Sequence, residues 1–477
     1  MNPRRFLSRL FRNRPVALAV LFVLAVPTSA SGAGSVDLDS SFGTNGRVVT
    51  ALPRRAPIVQ AARAADGDLL VARSRVIARY DSDGHLDPSF GNAGVATIPL
   101  PAGAAFFLAG LAADAQGHVY VGGTLVTDYQ PTYVPAGAES PVRRERAALV
   151  RLLPDGSPDP AFGSGGILIT DLGLPAPILR LPAESPPAPT LTVTGFVLDA
   201  TGRLVLTGSF YAVQEFCRSS IASIEEAYLA RLTPEGALDE GFGIGGVRVD
   251  PSLHSAGSPL LDRRGRIVYA GARNTGCDGL QPGGVGRLDP SGNLDRSFDG
   301  DGWRSLARQD VSPSDLALDH RGRVLVLGSE PGTPAERPTR AQYSLAALFR
   351  LRPNGAIDGT FARDGRALAR IPGRNSRFKS LAVDRRNGVV LAGVRVRSVV
   401  RPFRNSSFAA SRFSPLGKLD GSFGPAGLLE TRFGSRSSAG ANQILLMGPN
   451  RFLLTGPITL GVLRTGQGLA LARYRLR

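Results

Sequence analysis

The chain has 477 residues, 43% of them apolar, with 58 Gly, 36 Pro and a formal net charge of +17 carried almost wholly by arginine. The basic residues are scattered through turns and strand ends without interleaved aromatics, which argues against nucleic acid as a partner. His85, His118, His254 and His320 stand isolated, so neither a metal cluster nor a Ser, His, Asp triad has an obvious assembly.

The chain opens on an address. Arg4, Arg5, Arg9, Arg12 and Arg14 precede PVALAVLFVLAV, an apolar core of 12, and PTSASGA then offers small residues for cleavage after Ala30 or Ala33. This predicts a secretory signal peptide over residues 1–33. The apolar run is too short to span a bilayer, and no second run or C-terminal anchor follows. The expectation is a secreted, extracellular or wall-associated protein with no membrane anchor after cleavage. Removal of five arginines leaves the mature chain at +12.

From residue 38 one phrase returns seven times: LDSSFGTNG at 38–46, LDPSFGNAG at 86–94, PDPAFGSGG at 158–166, LDEGFGIGG at 238–246, LDRSFDGDG at 294–302, IDGTFARDG at 357–365 and LDGSFGPAG at 419–427. A second signal recurs with it, an apolar stretch broken by Asp and Gly and resumed by alternating apolar residues: LAADAQGHVYVGG from 111, LDATGRLVLTG from 198, LDRRGRIVYAG from 261, LDHRGRVLVLG from 318 and VDRRNGVVLAG from 383. Weaker versions begin at 62 and 445. The β-branched and aromatic residues at period two read as strands, and the Asp-x-x-Gly segments as tight hairpin turns. Asn450 stands where other hairpins carry Gly, and Asn is the residue that best tolerates left-handed backbone. Ala64 and Met447 replace the hairpin Asp, while Asp299 and Ala362 replace a phrase Gly, so those turns are the ones in question. A third strand with Arg near its end completes the unit: VIARY at 76, ALVRL at 148, YLARL at 228, AALFRL at 346, FAASRF at 408 and ALARYRL at 470.

The phrase phenylalanines are separated by 48, 72, 80, 56, 63 and 62 residues. A four-stranded propeller blade needs about 40–50, and insertions account for the excess. The expected fold is all-β, a seven-bladed β-propeller of four-stranded blades filling residues 34–477 as one domain. The strand GRVVT at 46–50 follows the first phrase, whereas no phrase follows ALARYRLR, so the N-terminal strand is expected to complete the last blade and close the ring.

The phrase LDPSFGNAG, the preceding DSDGH and the hairpin LAADAQGHVYVGG resemble the delta-60 repeat of large secreted bacterial proteins and, more distantly, NHL-like repeats. The resemblance covers residues 36–477 and implies a propeller without implying a reaction. By analogy with NHL blades, the strand ending in Asp is innermost and the strand after the phrase outermost. The loops between second and third strands then open on one face, where the extra length at 124–146, 208–227, 328–344 and 394–407, with the crossing 171–190, accumulates.

Asp39, Asp87, Asp159, Asp239, Asp295, Asp358 and Asp420 recur once per blade, which a catalytic carboxylate would not require. They are read as structural tethers for connector amides, with Phe42, Phe90, Phe162, Phe242, Phe298, Phe361 and Phe423 as wedges between blades. No catalytic or metal residue is assigned. No cofactor is expected, although DSDG at 81–84 with Asp87 spaces carboxylates as a calcium loop does. Cys217 and Cys277 fall in equivalent loops of neighbouring blades and form a disulfide candidate.

Two functions follow. The first is a monomeric, non-catalytic binding or scaffold module for an extracellular protein, anionic polysaccharide or cell-wall polymer, acting through the loop-bearing face. The alternative is a propeller hydrolase or lyase with its site at the central channel. An enzyme should break the sevenfold symmetry with distinctive polar residues on the inner strands; these read LAAD, FVLD, LALD and LAVD, which favours binding.

Overall fold

The computed structural model describes residues 36–52, 58–127, 144–175, 178–179, 190–217, 220–274, 283–306, 311–331, 344–369, 376–398, 405–434, 437–460 and 466–477. The expected signal peptide and Cys277 lie outside them. The chain forms seven antiparallel blades. Blade 1 runs Gln60–Arg63, Leu69–Arg73, Val76–Tyr80 and Val95–Thr97, and blade 2 Ala105–Ala113, Val119–Thr127, Arg144–Leu152 and Ile167–Thr170. Blade 3 is Leu191–Leu198, Leu204–Cys217, Ser220–Leu232 and Val247–Asp250; blade 4 is Leu253–Leu261, Ile267–Arg273, Gly283–Leu288 and Trp303–Ser305. Blade 5 comprises Ser312–Leu318, Val324–Pro331, Ser344–Leu351 and Arg366–Leu368, and blade 6 Ser376–Val383, Val389–Ser398, Asn405–Phe413 and Leu429–Thr431.

Blade 7 is built from both ends of the described chain. Gln443–Leu446, Arg451–Leu460 and Gly466–Leu476 supply three strands, and Arg47–Ala51 the outer one, with Arg47 opposite Ala472 and Ala51 opposite Gly468. Val36–Leu38 prolongs the ladder, pairing Val36 with Leu476 and Leu38 with Tyr474. The N-terminal strand thus latches the ring.

The first strands of consecutive blades touch one another in a complete circuit, including blade 7 against blade 1, so they are innermost. Hydrophobic burial is divided among seven clusters, each between two consecutive blades and each holding one phrase Phe: Phe90, Phe162, Phe242, Phe298, Phe361, Phe423 and Phe42. These rings are at most 1% exposed. A blade therefore has no core of its own, and its apolar faces are buried only by its neighbours.

The turns explain the recurrent Gly. Gly117, Gly202, Gly265 and Gly322 close the Asp-x-x-Gly hairpins at φ between +71° and +87°, and Asn387 takes that role in blade 6 at +58°. Asn450 does not: the blade 7 hairpin closes in the common register, Met447 donating to Arg451, but its left-handed residue is Gly448, at φ +99°, directly before Pro449. Asp299 and Ala362 keep the geometry of the glycines they replace, at φ +52° and +49°. A side chain there is strained. Ala362→Gly is expected to raise unfolding free energy by about 0.5–1 kcal/mol, the strain relieved less the extra chain entropy, as read by urea denaturation; an unchanged or lowered midpoint would contradict this.

Candidate functional site

Beneath the tight-turn face one side-chain arrangement recurs around the ring. Six third strands carry, one residue before their end, an Arg eight residues before the phrase Asp, and the two side chains meet: Arg79–Asp87 at 3.1 Å, Arg151–Asp159 at 2.6 Å, Arg231–Asp239, Arg287–Asp295 and Arg350–Asp358 at 2.8 Å, and Arg412–Asp420 at 3.3 Å. In blade 7 the pair forms across the latch, Arg473 to Asp39 at 2.9 Å. The other Asp oxygen accepts the amide two residues on, as Asp39 does from Ser41, Asp239 from Gly241 and Asp358 from Thr360. The same guanidinium reaches into the next blade. Arg79 donates to the Pro154 carbonyl at 3.0 Å and Arg151 to that of Pro234 at 2.5 Å; Arg231, Arg287, Arg350 and Arg473 donate likewise to Pro290, Pro353, Pro415 and Ser82. Five of these guanidinium groups lie 4.6–5.2 Å from the centre of the phrase Phe ring.

Phrase backbone joins the clasp. The amides of Gly43, Gly91, Gly163, Gly243, Asp299 and Ala362 donate to the carbonyls of Asp83, Asp155, Glu235, Ser291, Asn354 and Leu416 in the next blade. The phrase Phe packs on the Gly of that turn, where a Cβ on Gly84, Gly156, Gly292 or Gly355 would meet a ring at 2.8–3.0 Å.

The junction from blade 6 to blade 7 is different. Residues 474–476 pair with 36–38 and run on as strands where the other blades turn back. Gly424 donates within its own phrase, to Ser422, and Arg412 turns to Asp384 at 2.6 Å. Gly388 makes this possible, since blades 3, 4 and 5 carry at that position an Arg (Arg203, Arg266, Arg323) that holds the hairpin Asp. Phe423 stacks on Phe452 at 5.9 Å, and Phe452 on Tyr474 at 4.8 Å. At this junction lies a cavity of about 430 Å³ lined by Asp384, Arg385, Arg386, Arg412, Asn450 and Arg477 among others, beside a second of about 360 Å³.

The inner ring is stitched by polar side chains reaching the next blade. Gln60 donates to the Ala109 carbonyl, Gln443 accepts the Ala61 amide, Thr124 that of Val193 and Asp315 that of Leu381. Burial pushes the Asp315 carboxyl up to about 6, against the pull of the Leu381 and Leu316 amides and the Ser380 hydroxyl. In the phrase the balance is reversed. Burial alone would raise Asp39, but bonds from Arg475 and Ser41 and the charge of Arg473 outweigh it and hold the carboxyl at about 2. Burial also opposes ionisation of Asp295 and Asp358, and Ser297, Thr360 and the clasping arginines again prevail.

On the opposite face the 208–227 insertion is a β-hairpin rather than a loop, paired out to Cys217 opposite Ser220. Ile178–Leu179, from the 171–190 crossing, pairs in parallel with Val213–Gln214. Tyr211 is exposed on this hairpin, as are Ile58 and Phe107 near the starts of adjacent inner strands. Most of the other insertions lie outside the described residues, as does the Cys217–Cys277 pairing. At the calcium-like spacing, Asp81 accepts the amides of Asp83 and His85, and Asp87 holds Ser89 and Arg79. The Arg partner of the phrase Asp is what sequence reasoning left without a role. Its signal was present in the constant Arg-to-Asp interval of eight residues.

The sequence pattern of the β-propeller domain of unknown function DUF5122 matches residues 64–90, 144–162 and 200–242. No curated protein matches the chain. Among solved structures, a protein of unknown function from Dyadobacter fermentans is similar at 12% identity and TM-score 0.43, over 93% of this chain and 100% of that one. The plexin A4 extracellular region aligns at 12% identity and TM-score 0.42, over 74% of this chain and 44% of that one. NanB sialidase of Streptococcus pneumoniae, a K499G mutant, aligns at 9% identity and TM-score 0.35, over 78% and 68%.

Arg350→Ala should cost roughly 3 kcal/mol, because buried Asp358 loses its short ion pair and keeps only Arg323 at 3.5 Å and Arg352 at 3.9 Å, and in a double-mutant cycle the Asp358→Ala change should add far less than its single cost; additive losses would show that the pair does not act as a unit. Two opposed pH windows are also expected. Asp39, Asp295 and Asp358 sit below their unfolded value of 3.8, so their contribution is complete above about pH 4 and is lost as pH falls toward 2. Asp315 sits above its unfolded value, so stability declines as pH rises from about 4 to 6. Unfolding midpoints from pH 2 to 8 should show both legs, and Asp315→Ser, which copies Ser380 of blade 6, should remove only the second.

Proposed function

We propose that the protein is a secreted, non-catalytic propeller that binds an extracellular protein or anionic wall polysaccharide through its loop-bearing face. The observation that carries this reading is the long hairpin of blade 3, with Tyr211 exposed on it and exposed Ile58 and Phe107 on the same face. Apolar and aromatic groups raised on a rigid ring are what a binding surface needs. The mature charge of +12 favours anionic partners at long range. The strongest candidate for the enzyme reading among the described residues is Asp315, whose carboxyl is pushed toward neutrality within the inner ring. Its oxygens are occupied by the Leu316 and Leu381 amides, which favours a stitching role.

The test is retention of the purified protein on cell wall and on polyuronate, at low and at physiological salt. Retention that survives physiological salt and is lost when residues 212–223 are replaced by Asn-Gly is expected. Retention confined to low salt, or untouched by the shortened hairpin, would overturn the reading.

A further inference from the structure

At six of the seven junctions a four-residue turn between third and outer strands seats on the preceding blade. The turns are DSDG at 81–84, LPDG at 153–156, TPEG at 233–236, DPSG at 289–292, RPNG at 352–355 and SPLG at 414–417. Each offers the same set of contacts: its second carbonyl to a guanidinium, its third carbonyl to a phrase amide, and its Gly to the phrase Phe. At the seventh junction that place holds no turn, because residues 474–476 continue as a strand against 36–38. Between Arg412 and the Pro449–Asn450 turn of blade 7 lies the cavity of about 430 Å³.

The chemistry of the opening follows from its walls. Arg412 keeps its Asp384 and Asp420 bonds, and Arg477 is held by Asp37. Arg385 and Arg386 are exposed, and among the described residues neither guanidinium has a carboxylate partner. We propose that this groove docks an acidic Pro-x-Gly turn of a partner protein, which engages Arg412 as the chain's own turns engage the equivalent arginine elsewhere. The bound turn presents its second carbonyl toward Arg412, and its acidic side chain is paired by Arg385 and Arg386. The site lies opposite the loop-bearing face and does not depend on the reading proposed for that face.

The probe is a fluorescein-labelled peptide with the sequence of residues 152–158, LLPDGSP, titrated with the purified protein and followed by anisotropy. Saturable binding is expected, weakened roughly tenfold or more by the double change R385E/R386E, which removes two charge-assisted contacts. Both positions are exposed in a hairpin turn, so an unchanged unfolding midpoint should accompany the loss. The protein with the shortened blade 3 hairpin should bind the peptide as before. Absence of saturable binding would overturn the proposal. So would equal binding of a scrambled peptide of the same composition or of polyuronate, because the groove would then be reading charge alone. A dimer abolished by R385E/R386E with no peptide bound would instead assign the groove to a second copy and likewise overturn it.

Discussion

The ring depends on a buried arginine. At the end of each third strand a guanidinium is shared among the phrase carboxylate, in six blades a carbonyl of the next blade and, in most, the face of a phrase Phe. Arg350 and Arg287 are only 2–3% exposed, a burial that a charge tolerates only with its donors satisfied. Lysine could not serve, because one ammonium has neither the planar fork for two acceptors in different blades nor a flat face to lay on a ring. The clasp makes each blade's phrase the foundation of the next blade's turn. That is why blades without cores of their own form one body.

Closure creates the exception. Supplying the outer strand of blade 7 from residues 47–51 brings residues 36–38 alongside 474–476, and strands that run straight on cannot also turn. The structure replaces the missing clasp with an aromatic stack, Phe423 on Phe452 on Tyr474, and with a second carboxylate for Arg412. The apolar half of the junction is restored and the polar half is left as a basic groove. The same latch that holds the ring shut makes one of its seven seams chemically distinct.

The two faces carry different information. On the tight-turn face, side chains are committed to the clasp and vary little between blades except at the seam. On the loop-bearing face, the segments between second and third strands differ in length and composition, from the hairpin of blade 3 to the short connection of blade 1 between Arg73 and Val76. A scaffold whose stability resides on one face is free to vary the other.

Blade number, strand order and ring closure were legible in the sequence because each is a consequence of repetition: a period, an alternation and a phrase missing at one end but present at the other. The left-handed turns were legible at Gly, and at Asn387 in hindsight, since only local backbone sterics are involved. Asn450 misled because the left-handed position fell on Gly448 instead, within a turn that closes in the common register. The phrase Asp was readable as a tether, yet its main partner lies eight residues back and across a turn, and the guanidinium's second acceptor lies in the next blade. The 208–227 insertion announced its length but not that it would pair as a hairpin. By itself the sequence determined the architecture, since stacking copies of one unit leaves few alternatives. Only the tertiary structure decided where symmetry fails, because the acceptors that complete or vacate each clasp come from residues distant in the chain and meet only when the ring has closed.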